Sequence, residues 1–129
     1  MDRRRHFDRL MAKAAQDEYV LERLAGDAQA PIEVFGFHAQ QAAEKMFKAA
    51  LVAANTNYPR THRIAELIDR LRHAGVEVPH SFDPLCDLTP FAVEFRYDVS
   101  PGDDEEPIDH LRLLDLLREL RAWARSLAG

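Results

Sequence analysis

The apolar residues of this chain recur at steps of three and four between its turn segments. No stretch alternates apolar and polar residues for long enough to predict a strand, and no internal repeat is present. Steps of three and four are the period of amphipathic helices, each of which buries one face. The pattern therefore predicts an all-α fold, a bundle-like domain of five up-and-down helices with short connections.

Turn and capping residues predict where the first three helices begin and end. The first helix is expected over residues 2–25, because Gly26 ends it. The second helix is expected to have Pro31 in its first turn and to run to about residue 54. Thr61 is expected to cap the third helix, and Gly75 to end it.

The fourth segment leaves two possibilities open. Asp83 and Pro84 resemble a cap and a first turn, but Pro90 interrupts the helical pattern that follows. Either one helix kinks at Pro90, or Thr89 and Pro90 begin a second helix after a short one. The last helix is predicted over residues 108–127.

Apolar stripes from all five segments are expected to meet in one core. They comprise Phe7, Leu10, Met11, Ala14, Leu21 and Leu24; Phe35, Ala39, Ala42, Ala43, Met46, Ala50 and Ala54; Ile64, Leu67, Ile68 and Leu71; Leu85, Leu88, Ala92 and Phe95; and Leu113, Leu116, Leu117, Leu120, Trp123, Ala124 and Leu127. Asp17 interrupts the first stripe, and a buried carboxylate needs a partner. The candidate partners are Lys45, Lys48 and Arg96, and a structural ion pair is the expected outcome.

Length and composition limit the class of protein. A chain of 129 residues is expected to form a single domain, residues 1–129, because two pieces would be too small for separate cores. The only cysteine, Cys86, leaves no internal disulfide and fits a reducing compartment. No apolar run approaches the roughly 20 residues of a membrane span, and no apolar region follows the basic start as in a signal peptide. We therefore expect a cytoplasmic protein without membrane contact.

The net charge of −5 is concentrated in one segment. Six acids and no Lys or Arg occur from Asp98 to Asp109, and removing these six negative charges from −5 leaves +1 for the rest of the chain. The eight residues 100–107 have four adjacent acids and nothing to anchor them in a core. We expect this segment to be mobile and either to govern access to a cleft beside Arg96, favouring a basic protein partner, or to be a plain solubilising linker.

Three elements of the chain carry a family resemblance. Residues 37–49 read FHAQQAAEKMFKA, residues 58–64 read YPRTHRI, and residues 92–97 read AVEFRY. In this order they closely resemble the small prokaryotic members of the HEPN family (higher eukaryotes and prokaryotes nucleotide-binding). The resemblance extends over about residues 10–125, and its all-α bundle agrees with the helical period.

The resemblance implies partners and, for some members, a reaction. Many HEPN proteins are homodimers, and many bind a small nucleotidyltransferase-fold protein as a toxin–antitoxin pair. Some are metal-independent ribonucleases, in which an Arg-x(4–6)-His motif from each subunit lines a shared cleft. There the histidine moves the proton and the arginine stabilises the charge that develops on the phosphate.

This chain departs from the ribonuclease motif. Counted from Arg96, the histidine would have to stand at position 101, 102 or 103, and these positions are Pro101, Gly102 and Asp103. The first hypothesis is therefore a non-catalytic HEPN protein that dimerises, binds a nucleotidyltransferase-fold partner and holds a nucleotide at their shared cleft. The alternatives are a ribonuclease toxin with a degenerate site built from Arg96, His62 and Lys45, and a structural adaptor without a ligand.

One polar stripe of the second helix is a candidate phosphate site. It consists of His38, Gln41, Lys45 and Lys48 at helical steps, and it could bind a nucleotide or RNA phosphate. Its plainer interpretation is a solvated or dimer-facing surface on which Glu44 and Lys48 form an i,i+4 pair.

Three further residues are candidates outside that stripe. His62, expected at the start of the third helix, is a candidate phosphate ligand together with the free amides there, or else a surface histidine. Arg96 is a candidate both for phosphate binding and for catalysis, although we expect it to be structural first. By analogy with family members in which the partner adenylylates a tyrosine, Tyr97 is a candidate modification site, or else a packed ring.

The sequence predicts no cofactor and no metal site. Glu77 and His80 have the spacing of a di-iron ligand pair, but Pro79 breaks the helix that such a pair requires, and no second copy exists. Cys86 is expected to be a semi-buried core residue and not a nucleophile.

Overall fold

Helices make up the whole of the regular structure in the part of the chain that is described. The structure is a computed structural model that describes residues 2–94 and 109–129. Its elements are α1 (Asp2–Leu24), α2 (Ile32–Ala53), α3 (Ile64–His73), a 3₁₀ helix (His80–Leu88), α4 (Thr89–Glu94) and α5 (His110–Ala128). The prediction of an all-α fold with five helices is confirmed. None of the helices within the described ranges is long and apolar enough to cross a membrane.

The second helix, α2, occupies the centre of the fold. It packs against α1, α3, α4, α5 and the 3₁₀ helix. Its predicted stripe has no exposed surface from Phe35 to Ala50, whereas the last predicted member, Ala54, is only partly buried at the C-cap. Phe47, Ala49 and Leu51, outside that stripe, also have no exposed surface. A helix with neighbours on several sides buries more than one face, so a single-face pattern underestimates its burial.

The start of α3 differs from its prediction. Thr61 was expected to cap this helix, but the helix begins at Ile64, and Thr61 Oγ1 accepts a hydrogen bond from the Arg63 amide at 3.1 Å. The Ile64 amide instead donates to Oγ1 of Thr89, at the start of α4, over 3.2 Å. A side chain distant in sequence therefore serves the first turn, which no local pattern could reveal. The predicted end is confirmed, because Gly75 follows α3 with a φ of 85°.

The fourth segment is split at Thr89, the second of the two possibilities. A 3₁₀ helix with Pro84 inside it ends at Leu88, and α4 begins at Thr89 with Pro90 in its first turn. Proline is tolerated there because amides of the first turn have no partner within the helix. Asp83 and Pro84 do not form the expected cap and first turn, since the 3₁₀ helix begins three residues earlier, at His80. Phe95 and the acidic segment 100–107 lie outside the described residues.

The last helix, α5, begins two residues later than predicted, and its buried face is slightly rotated from the predicted one. Asp109 is its N-cap and accepts a hydrogen bond from the Arg112 amide at 3.1 Å. The fully buried positions are Leu114, Leu117, Leu120 and Ala124. The predicted core residues Leu113, Leu116, Trp123 and Leu127 are only partly buried, since they flank this face. Leu114 was missed because the adjacent Leu113 also fits the helical period.

Gly36 allows α4 to approach the backbone of α2. A Cβ atom at this position would overlap the ring of Phe91. Since glycine in a helix interior costs about 1 kcal/mol relative to alanine, this close contact is the structural reason for the residue.

We expect the effect of Gly36→Ala on stability to change sign with the residue at position 91. With Phe91 present, overpacking costs of about 1–3 kcal/mol outweigh the helix-propensity gain and lower the free energy of unfolding. In a Phe91→Ala background the same change should raise it by up to about 1 kcal/mol. Urea denaturation of the four variants measures this coupling. Gly26→Ala, where nothing lies within 4 Å, is the control and should have little effect, and an equal effect of Gly36→Ala in both backgrounds would contradict the contact.

Candidate functional site

Asp17 brings together two residues of the polar stripe on α2. The carboxylate is buried within the apolar face of α1, with 7% of the residue exposed. Its Oδ1 accepts a hydrogen bond from His38 Nδ1 at 3.0 Å, and its Oδ2 accepts one from Lys45 Nζ at 2.6 Å. Lys45 is one of the three predicted partners of Asp17, so this part of the prediction is confirmed. The charge of Lys45 is therefore directed inward, to the α1–α2 interface.

Glu44 is the centre of a second buried group. Its Oε1 accepts hydrogen bonds from Gln40 Nε2 and from His62 Nδ1, both at 2.9 Å. Its Oε2 accepts a hydrogen bond from Lys48 Nζ at 2.9 Å, which confirms the predicted i,i+4 pair. These contacts join α2 to the segment that precedes α3.

Gln40 extends this network and was missed by the sequence analysis. The residue has no exposed surface, donates from Nε2 to the carbonyl of His62 at 3.0 Å, and accepts at Oε1 a hydrogen bond from Gln41 Nε2 at 2.7 Å. The signal that could have revealed it is its position four residues before Glu44, within an alanine-rich part of the helix.

The pKa of Glu44 is held below its ordinary value. Burial alone would raise it, because a buried carboxylate loses its hydration, but the hydrogen bonds from Gln40, Lys48 and His62 together outweigh that effect. The ionised form is thus the one that the surrounding donors stabilise.

A third buried carboxylate ties α1 to α5. Glu18, with 1% exposure, receives two hydrogen bonds from the guanidinium of Arg121, the one between Nε and Oε1 being 3.0 Å long and the other joining Nη2 to Oε2. Burial and the neighbouring Arg125 lower the pKa of Arg121. The pairing was missed, because the residues lie 103 positions apart and only the fold brings them together.

The candidate phosphate ligands of α2 are brought onto one face, but His38, Lys45 and Lys48 donate to protein carboxylates. Gln41 donates to the amide oxygen of Gln40. The side chains of Lys45 and Lys48 are 25% and 15% exposed, and the ammonium of Lys48 also lies 5.3 Å from the ring centre of Tyr58. Neutralised cations attract a phosphate much less than free ones.

His62 is not at the first helical position, where it was expected. It lies two residues before α3, with 60% of its side chain exposed. The amides of Arg63 and Ile64 beside it already donate to Thr61 and Thr89, so they do not form the free amide site that the prediction required. Arg96 and Tyr97 lie outside the described residues, and their suggested roles stay predictions.

The described residues offer little for metal binding or for thiol chemistry. Among residues 2–94 and 109–129, no group of three or more His, Cys, Asp or Glu side chains is arranged to hold a metal ion. Cys86 is partly buried, and burial together with Asp83, Asp87 and Asp69 raises the pKa of its thiol. A protonated thiol is a poor nucleophile.

We expect Glu44→Gln to lower stability at neutral pH and to have less effect in acid. The variant loses a charge that Lys48 and His62 contact, which should cost about 2 kcal/mol at pH 7. Since the pKa of Glu44 in the folded protein lies below its ordinary 4.5, its contribution is present above pH 4.5 and is lost as the pH falls further.

Denaturation of both proteins from pH 7 downward measures the difference. It should shrink below pH 4.5, and a constant difference down to the lowest pH at which both proteins fold would contradict the assignment. Glu77→Gln, at an exposed position, is the control for removing one acid.

Comparison with known proteins gives one match. The sequence model of the HEPN domain matches residues 9–127, which is most of the chain. No curated protein and no solved structure matches. The family suggested by the elements at residues 37–49, 58–64 and 92–97 is thereby confirmed, and the chain belongs to the HEPN domain family.

Proposed function

We propose that this chain is a non-catalytic HEPN protein that acts by binding other proteins. It forms a homodimer and pairs with a small nucleotidyltransferase-fold protein in a toxin–antitoxin-like module, with a nucleotide held at their shared cleft. The proposal adopts the partners that the family resemblance implies. It does not adopt the RNA cleavage that some members of the family carry out.

The observation that carries the proposal is the internal pairing of the α2 cations. A metal-independent ribonuclease needs a histidine free to move a proton and a cation free to stabilise the charge on the phosphate. Here the ammonium groups of Lys45 and Lys48 are bound to Asp17 and Glu44. His38 and His62 each use Nδ1 to contact one of the same two carboxylates. Together with the missing histidine after Arg96, this pairing favours a structural use of the residues that a nuclease would use for catalysis.

The dimer rests on the family and not on the alanines of α2. Alanines allow a helix to come close to another helix, but Ala39, Ala42, Ala43, Ala49 and Ala50 already have no exposed surface. Their contacts are made within one chain, so a dimer needs another surface.

We expect the purified protein to sediment at twice the 14.8 kDa of one chain at micromolar concentration. The reason is the family resemblance, since many HEPN proteins are homodimers. Analytical ultracentrifugation over a concentration series measures the mass. A single species of 14.8 kDa across the series would contradict the dimer.

Partner binding is tested with the product of a neighbouring nucleotidyltransferase reading frame. Co-expression followed by gel filtration should give a complex of both chains. Titration of the complex and of each chain with ATP should show nucleotide binding to the complex. If the two purified proteins elute separately, the partner part of the proposal is wrong.

The non-catalytic part is tested by RNA cleavage in the presence of a metal chelator. Purified protein and an Arg96→Ala variant are expected to leave the RNA equally intact. Cleavage by the unaltered chain that disappears in an Arg96→Ala variant with the same melting temperature would overturn the proposal and favour a ribonuclease. The matched control is Arg70→Ala, an exposed arginine on α3.

A further inference from the structure

A wide cleft lies between the 3₁₀ helix, α4 and α5, away from the buried carboxylates. Its volume is about 680 Å³. The floor is apolar and comes from Pro84, Leu88, Phe91, Leu113 and Leu116. None of these five side chains except Leu88 is fully buried, so the chain leaves part of its apolar surface open here.

The rim of this cleft is acidic. Among the described residues, four carboxylates line it, from Asp87, Asp109, Asp115 and Glu119, together with the guanidinium of Arg112 and the imidazole of His80. Within the described part of the chain, Asp115 pairs with Arg118 and Asp109 caps α5.

Asp87 and Glu119 differ from the other rim acids, because both are exposed and neither forms an ion pair with any described residue. As far as the described residues go, the rim therefore carries negative charge without an ion-pair partner on both walls, on the 3₁₀ helix and on α5.

We propose that this cleft binds a basic amphipathic helix of a partner protein. The apolar face of such a helix would cover the floor, and its Lys or Arg side chains would meet Asp87 on one wall and Glu119 on the other. From Asp109, the N-cap of α5, to Glu119 the rim acids extend over ten residue steps, which is about 15 Å of helix. That length matches about three turns of a helix packed alongside α5.

Charge and burial argue against this chain as the source of that helix. The run from Asp98 to Asp109 holds six acids and no Lys or Arg, so it has the same sign as the rim. The basic start of α1, with Arg3, Arg4 and Arg5, has the right sign, but Phe7 on that helix is 3% exposed in its own core. A second copy therefore has no free apolar face to offer with those arginines, and a different protein is the better complement.

The inference rests on the proposed protein-binding role and assigns it a surface and a ligand chemistry. The probe is a labelled synthetic peptide of about 14 residues, with Leu on one helical face and Lys on the other. A second peptide has the same composition in an order that mixes the two faces, and a third has Glu in place of Lys. Fluorescence anisotropy at low and high salt measures the affinity of each.

We expect the amphipathic Leu/Lys peptide to bind most tightly and its affinity to fall with salt. Asp87→Asn combined with Glu119→Gln should weaken it about tenfold, since two charges on the cleft walls are lost. Asp69→Asn combined with Glu77→Gln also removes two negative charges, but at exposed positions outside the cleft. This control should leave the affinity within about twofold. In methyl NMR spectra, the signals of Leu88, Leu113 and Leu116 should shift on binding.

Three results would overturn the assignment of the cleft. They are equal binding of the mixed-order peptide, an equal loss in both double variants, and methyl shifts that map elsewhere. Failure here is distinguishable from failure of the proposed function. A nucleotidyltransferase complex whose affinity is unchanged by Asp87→Asn with Glu119→Gln would keep the protein-binding role and remove the cleft from it.

Discussion

Buried carboxylates have to be paired, and this requirement organises the fold around α2. An ionised acid without a partner is far more costly inside a protein than an exposed one. Asp17, Glu18 and Glu44 are nearly inaccessible, and each accepts a hydrogen bond from a side chain in another part of the chain. These side chains are Lys45 for Asp17, Arg121 for Glu18 and His62 for Glu44. The three pairings join α1 to α2, α1 to α5, and α2 to the segment before α3. The apolar core holds the helices together, and these pairings define how they are placed along one another.

The same pairings bear on function. His38, Lys45 and Lys48 form the set of side chains that a phosphate-binding helix would need, yet each of them donates a hydrogen bond to a carboxylate of the same chain. A phosphate would have to compete with carboxylates that are close and already desolvated. This competition is why the structure supports a role for the α2 stripe in holding the fold together more than a role in binding RNA.

Charge is distributed unequally over the rest of the molecule. Around α2 the acids are buried and neutralised, whereas along the 3₁₀ helix and α5 they are exposed, and Asp87 and Glu119 lack ion pairs among the described residues. Exposed acids above an apolar floor attract a ligand that is basic on one side and apolar on the other. A protein that works by contact with other proteins needs a surface of this kind, and it need not coincide with the family's catalytic position.

The sequence by itself determined the fold class, the family and most helix ends, because helical period, turn residues and the elements at 37–49 and 58–64 are local. It also indicated that Asp17 needs a cation, since an acid in an apolar stripe is a local anomaly. Only the tertiary structure decided that Lys45 and His38 supply the partners, that Arg121 meets Glu18 from 103 residues away, and that Thr89 serves the first turn of α3. These contacts depend on how helices pack, and packing brings together residues whose spacing in the chain carries no periodic signal. For the same reason the sequence could not show that α2 is buried on nearly all sides, because that depends on how many neighbours surround the helix.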